Sequence, residues 1–374
     1  MTNLAAHPFA MRLSEIIRIL ETWAPPSLQE DYDNSGLQVG TADREVKAAL
    51  VALDCTEEVV AEAVERGCDL VIAHHPVIFR GLKSITGRTG VERTLLAAIK
   101  HDVAIYAIHT NLDNVITGVN AEIAARLGLR ELDVLDPKPG QLKKLVVFVP
   151  IAHAEAVRAS MFAAGAGHIG NYDECSYGLE GLGTFRPGEG ANAFVGEKGA
   201  RHSEPETRIE TIVHAPLERA VVQAMLSAHP YEEVAYDLYP LTNSHPGIGS
   251  GAIGRLAEPL EEAAFLAKVK AAFNAPVIKH TALRGKPVER VAVCGGSGAF
   301  LIDRARSAGV DAYVTADIKY HEFFGAEGQL LLADIGHYES EQFTMHLLQR
   351  HLGDKLPTFA AHLTKIVTNP VHIC

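Results

Sequence analysis

The chain has 374 residues, more than one compact core usually holds, which implies two or three domains. With 47% hydrophobic and 21% charged residues it reads as globular, excluding long disorder, and no stretch approaches the 18 apolar residues of a membrane span. A net charge of −12 excludes sequence-independent nucleic-acid binding by the whole surface. The five cysteines form no C-x-x-C pair, which argues against a thiolate zinc site, and no basic-then-apolar leader opens the chain, so a reducing cytoplasm is the expected location.

In chain order, residues 47–54 (KAALVALD) are a short apolar run expected to be a strand. A helix follows, with Val59, Val60, Ala63 and Val64 at helical spacing and Gly67 placed to end it. A second strand is predicted in CDLVIAHHP (68–76), a helix around 91–101, a third strand within 102–114, and a helix from Asn114 to Leu127 closed by Gly128. Strands alternating with helices of this length predict a mostly parallel α/β sheet. After Val291–Cys294 the C-terminal part repeats the plan: a helix, Gly309-x-Asp311, then Ala312–Asp317, which sets His75 opposite Asp317. Either βα units simply look alike, or two duplicated halves bring their strand ends to one site, as open α/β sheets do with ligands.

Residues 141–245 break this rhythm. A strand (LKKLVVFVP), a helix, a Gly-rich stretch of turns from Gly165 to Gly199, an alternating strand (ETRIETIVHAP), a helix and a last strand suggest a ferredoxin-like α+β unit. The expected organisation is an N-terminal half over 1–140, an inserted domain over 141–245, and a C-terminal half over 246–374.

The constellation with the most chemistry is His74, His75, Asp113, His337 and Glu341, each at or just past the end of an apolar strand. Pro76 turns the chain out of its strand, so the adjacent histidines can face one site. His337 and Glu341 are spaced i, i+4 at the start of an amphipathic helix and share a face. Imidazoles and carboxylates without thiolates suit Zn, Fe, Mn or Ni. Five such ligands exceed the needs of one catalytic zinc and fit two divalent metal ions, an arrangement used in hydrolysis. Read otherwise, they are scattered polar strand ends. His109 and His321 are candidates for acid–base work or for holding ligands in place, with Asp317 and Lys319 at neighbouring strand ends. Asp33 and Asn34 read as an Asx turn or as cavity lining.

Five segments in this order, DYDNSGLQVG (31–40), DLVIAHHPVIF (69–79), IHTNLDN (108–114), VTADIKYHEF (314–323) and IGHYESE (335–341), resemble the motifs of the GTP cyclohydrolase I type 2 homologue family, also called the Nif-three-like dinuclear metal centre proteins. HPYEEVAYDLYPL (229–241) resembles the inserted PII/CutA-like domain of its longer members. The resemblance implies that the same five residues are the metal ligands. It further implies a homohexamer with metal sites facing an internal cavity, and a small, nucleotide-like substrate, with GTP as the named case.

Other patterns weigh less. Gly249–Gly254 matches G-x-G-x-x-G but lacks the strand before and helix after that a dinucleotide site needs. Cys294-Gly-Gly-Ser-Gly298 is a tight turn whose amides can also cradle a phosphate. Gly295–Ala299 nearly matches a nucleophile elbow, with Asp317 and His337 following, but that reading leaves four candidate ligands unexplained. The leading functional reading is thus a dimetal hydrolase, and the alternative is a metal-binding regulatory or scaffold protein whose inserted domain senses a small molecule.

Overall fold

The computed structural model describes residues 10–374 and divides the chain into two compact units. One unit runs to Pro137 and resumes at Pro246; the other is Lys138–His245.

The first unit holds two sheets. In the first, Ala360–Leu363, Ala48–Ala52, Leu70–Ala73 and Ala104–Ala107 lie parallel in that order, with Gly36–Val39 antiparallel at the edge. Leu50, Val51, Leu70, Val71 and Ile72 are fully buried, as strands covered on both faces must be. Helices Glu57–Glu65 and Gly90–Lys100 cover one face, where Val59, Val60, Ala63 and Ala98 meet Leu50, Val71 and Ile105. Thr56 and Thr89 cap these helices, each accepting a backbone N–H with its side chain, and Gly67 takes φ 67° just past the first. The second sheet has Leu331–Asp334, Ala312–Ala316 and Val288–Ser297 parallel, flanked by antiparallel Lys279–His280 on one side and Gly249–Leu260 then Arg130–Pro137 on the other. Val51, Leu70 and Ile72 of the first sheet and Val291, Val293 and Val314 of the second share one core with helices Leu13–Trp23, Val119–Leu127, Glu262–Ala272 and Thr344–Lys355. The α/β class matches the sequence reading.

Three elements differ from the sequence reading. The helix expected from Asn114 is a four-residue turn, Thr110–Asp113, and a separate helix from Val119. Gly118 separates them: a Cβ there would lie 1.9 Å from the Leu112 carbonyl oxygen, so only glycine permits the close pass. His337–Glu341 is likewise a five-residue helix of its own, divided from Thr344–Lys355 at Gln342 and Phe343. Here the Gln342 side chain donates to the Phe273 carbonyl and the Arg126 guanidinium stacks on the Phe343 ring. Finally, the stretch read as turns from Gly165 to Gly199 contains a ten-residue strand, Ser176–Phe185. Its Tyr177, Leu179 and Leu182 are interleaved with Gly178, Gly181 and Gly183, which hide the strand signal.

The second unit runs strand–helix–strand–strand–helix–strand. Its sheet order is Tyr236–Pro240, Leu142–Pro150, His202–His214, Ser176–Phe185, all antiparallel. Helices Ala154–Ala163 and Glu218–Ala228 pack Val157, Met161, Val221 and Met225 against Leu145, Val147, Val149, Ile209 and Val213.

In the first unit Pro137 pairs with Gly249, so the chain leaves and re-enters at adjacent strand ends. Replacing Lys138–His245 by a short Gly/Asn turn is therefore expected to leave a soluble, cooperatively unfolding protein that still binds metal; circular dichroism melts and metal analysis check this.

Candidate metal centre

The strand ends of the first unit converge on one cluster. His74 and His75 follow Leu70–Ala73, His109 and Asp113 follow Ala104–Ala107, and His337 and Glu341 follow Leu331–Asp334. Their ligand atoms form three groups within 4.8 Å: His74, Asp113 and Glu341; His75, His337 and Glu341; and His74, His75 and His109. All five sequence-nominated ligands are thus in one place, with His109 beside them. His321 is not. It sits exposed on the turn Tyr320–Ala326 among Tyr320 and Phe324, and neither it nor Lys319 lines the cleft, because Ile318 tucks in at the strand end and turns the following residues outward.

Each ring is held by its Nδ1, which leaves Nε2 facing inward. His74 Nδ1–H donates to the Ile108 carbonyl at 2.8 Å. Nδ1 of His75 meets Asp54 at 2.8 Å, that of His109 meets Asp33 at 2.7 Å, and that of His337 meets Asp317 at 2.7 Å. Such acceptors fix the tautomer and orient an imidazole for a metal. Glu341, only 3% exposed, takes the Nε2 atoms of His75 and His337 at 3.0 Å each. Among the described residues His74 Nε2 and Asp113 Oδ1 are buried without a hydrogen-bond partner, 3.7 Å apart. Orphaned buried polar atoms are rare and costly. Two of them aimed together within an N/O donor set fit a cation.

The backbone makes room for this. A Cβ on Gly296 would lie 2.4 Å from Glu341 Oε1, and one on Gly295 3.3 Å from its Cγ. Gly296 N–H donates to Ser340 Oγ and Gly295 N–H to Asn120 Oδ1, so these amides are not offered to a phosphate. Ser297 donates to Asp317, not to a histidine, which removes the hydrolase-triad reading. The G-x-G-x-x-G residues lie in the strand Gly249–Leu260.

Protons stand in for cations when no metal is bound. Burial opposes a charge on His75, but hydrogen bonds with Asp54 and Glu341 outweigh it and raise its pKa to about 10. His337 is raised to about 11 by Asp317 and Glu341 against the same burial. Glu341 is held well below the carboxylate range: burial works the other way, and His337, His74 and His75 overcome it. Asp113 is pushed up to about 7, first by burial and then by Glu341. Asp33, Asp54 and Asp317 are lowered by the histidines they hold, with burial opposing.

The cluster lies in a cleft of about 780 Å³ whose rim carries Tyr32, Phe79, Phe300, Tyr338 and Val371. The structure adds Asp54, which sequence reasoning did not place at the site, and gives Asp33 and Asp317, read as cavity lining or turn and as a neighbouring strand end, the role of holding His109 and His337. Asp33 Oδ1 accepts from the Asn34 amide at 2.7 Å, one residue on instead of the two that define an Asx turn, and the carboxylate's other partners are Ser35, His109 and Thr110.

Two outcomes follow for the metal-free protein. His75 and His337 are raised above their ordinary 6.5, so their stabilising contribution is complete below that pH and is lost as pH climbs through about 10 to 11. The melting temperature of chelator-treated protein should therefore fall from pH 7 to pH 10, and added Zn or Mn should bind more tightly over the same range as it displaces those protons. Differential scanning fluorimetry with and without metal checks both. Gly296→Ala should abolish metal retention, measured by elemental analysis of the purified variant, because its φ of 59° and the crowding by Glu341 both oppose a side chain.

A family model described as Duf34/NIF3 (NGG1p interacting factor 3) matches residues 11–370. A Halalkalibacterium halodurans protein named GTP cyclohydrolase 1 type 2 homolog is 42% identical over 363 residues, 96% of each chain. A Mycobacterium tuberculosis protein of the same name is 36% identical over 372 residues, 96% of this chain and 97% of that one. The crystal structure of a Bacillus cereus protein related to NIF3 superposes with a TM-score of 0.83 at 40% identity, covering 98% of this chain and all of that one. Staphylococcus aureus protein SA1388 gives a TM-score of 0.77 at 27% identity over 97% and 99%. With a match running nearly end to end and relatives this similar over almost their full length, the chain belongs to the Duf34/NIF3 family.

Proposed function

We propose that this chain is a dinuclear-metal-dependent hydrolase of a small, nucleotide-like substrate. The observation that carries the reading is a single buried carboxylate, Glu341, common to two three-residue ligand groups. His74, Asp113 and Glu341 would hold one divalent ion, and His75, His337 and Glu341 the other. Ions so held supply Lewis-acid activation of water and polarisation of the electrophile. The names of the relatives make GTP the first substrate to test: one water would add at C8 of the guanine and open its C8–N9 bond to a formamide, and a second would cleave that formamide, releasing the carbon as formate and leaving the amine on the ring. The chain's own residues then do the rest. His109, oriented by Asp33, presents Nε2 to the cluster and serves as the proton carrier. Tyr32 and Phe79, with ring centroids 6.2 Å apart at the rim, offer faces on which a planar base can stack.

The family resemblance also supports a homohexamer and an inserted ferredoxin-like domain over 141–245. The strand order and two helices of Lys138–His245 agree with the latter. A duplication is supported by two sets of three parallel strands, each releasing site residues at its ends. Light scattering in solution tests the hexamer.

One observation favours a second reading, a metal-binding regulatory or scaffold protein without turnover. Among the described residues lining the cleft there is no arginine, and the single lysine, Lys279, is paired with Asp334 at 2.6 Å. A triphosphate would find no free basic side chain there.

Formate release from GTP and metal content, measured together, separate these readings. Glu341→Gln should lower both, since it removes charge from each ligand group. His109→Ala should keep the metal and slow turnover by about 10²-fold or more. If the metal-loaded wild type releases no formate, GTP is not the substrate; if no nucleotide is turned over, the second reading stands.

A further inference from the structure

The unit Lys138–His245 carries a cavity that the hydrolytic reading does not use. Along Leu142–Pro150 and His202–His214, residues alternate between the helix-covered face and the opposite one, which places Phe148, Glu206 and Arg208 on the face away from the helices. On that face lies a pocket of about 680 Å³. The chain after Phe185 folds across it and is tied down where Asn192 N–H donates to the Glu232 carboxylate at 2.7 Å. Four rings line it, Phe148, Phe185, Phe194 and Tyr231, with Phe185 at 5.8 Å and Phe194 at 6.2 Å from Tyr231 between centroids.

Glu206 forms part of the wall and is only 8% exposed. Among the described residues its carboxylate has one hydrogen-bonded partner, the Tyr231 hydroxyl, which donates at 3.0 Å, and no cation pairs with it. Gly183 leaves space for the carboxylate, since a Cβ there would lie 2.1 Å from Glu206 Oε2. The other charges lining the pocket are Glu180, Glu232 and Glu233 against Arg186 and Arg208, and Arg208 is already bound to Glu210 at 3.0 Å. A buried carboxylate without a cation is costly, and aromatic faces attract cations.

We propose that this pocket binds a small organic cation, an ammonium or guanidinium group on an apolar or aromatic body. The cation pairs with Glu206 and the body lies among Phe185, Phe194 and Tyr231. The test is calorimetric titration of the full-length protein with three probes of one shape: phenethylammonium, 2-phenylethanol and 3-phenylpropionate. The ammonium should bind saturably, the alcohol at least tenfold more weakly, and the carboxylate not at all. Glu206→Gln should weaken the ammonium tenfold or more with metal content unchanged. Phe194→Ala, on the exposed covering segment, should also weaken it and leaves the packed core intact if Glu206→Gln misfolds. Equal binding of all three probes, or full affinity in both variants, would overturn the proposal. So would absence of ammonium binding at millimolar concentration.

Discussion

The first unit is arranged around one carboxylate in an apolar interior. Glu341 is 3% exposed, and an isolated charge there would be driven to neutralise. It stays ionised because imidazole nitrogens surround it, and those rings are turned toward it by Asp54, Asp317 and the Ile108 carbonyl. The arrangement is a chain of opposite charges running outward: carboxylate, imidazole, carboxylate. Removing an imidazole takes a partner from the buried Glu341, and breaking such a pair costs more than the pair itself contributes.

That constraint explains features of the fold that seem unrelated to chemistry. The strand Val288–Ser297 must pass within van der Waals reach of Glu341, so it carries Gly295 and Gly296 at the approach. Asn120, 2% exposed, spans from the Asp113 carbonyl to the Gly295 amide and ties the two sheets at the site. Asp317 adopts φ 56°, a conformation that disfavours most side chains, and in doing so reaches both Ser297 and His337.

Much of this was legible in the sequence, and the limits have physical causes. His74, His75, Asp113, His337 and Glu341 stand out because apolar strands end beside them, and parallel sheets gather strand ends at one edge. The carboxylates that orient the rings arrive from separate loops, and no local spacing announces a tertiary hydrogen bond; Asp33 read as a turn because Asp-Asn-Ser-Gly is turn composition, whereas its carboxylate reaches His109, 76 positions later. Cys294–Gly298 read as a turn or cradle because its purpose depends on a residue some 45 positions later. His321 was misplaced for the opposite reason: nearness in sequence to a strand end says nothing about the direction of the turn that follows. Ser176–Phe185 was lost among its glycines, of which Gly183 makes room for the Glu206 carboxylate while Gly181 meets nothing within 4 Å.

The pairing of Pro137 with Gly249 also bears on how the chain reaches its native state. To form that pairing from an unfolded chain, the ends of Lys138–His245 must first be brought together, and closing a flexible loop of that length costs about 3 kcal/mol more than a tight turn. If Lys138–His245 collapses into its own sheet first, its six elements already fold back on one another and most of that entropy has been spent locally. Synthesis from the N-terminus favours this order, since His245 leaves the ribosome before any of the second sheet's parallel strands. His337 and Glu341 are the last of the candidate ligands to be made, so the cluster closes only after the other ligand-bearing strand ends have been produced.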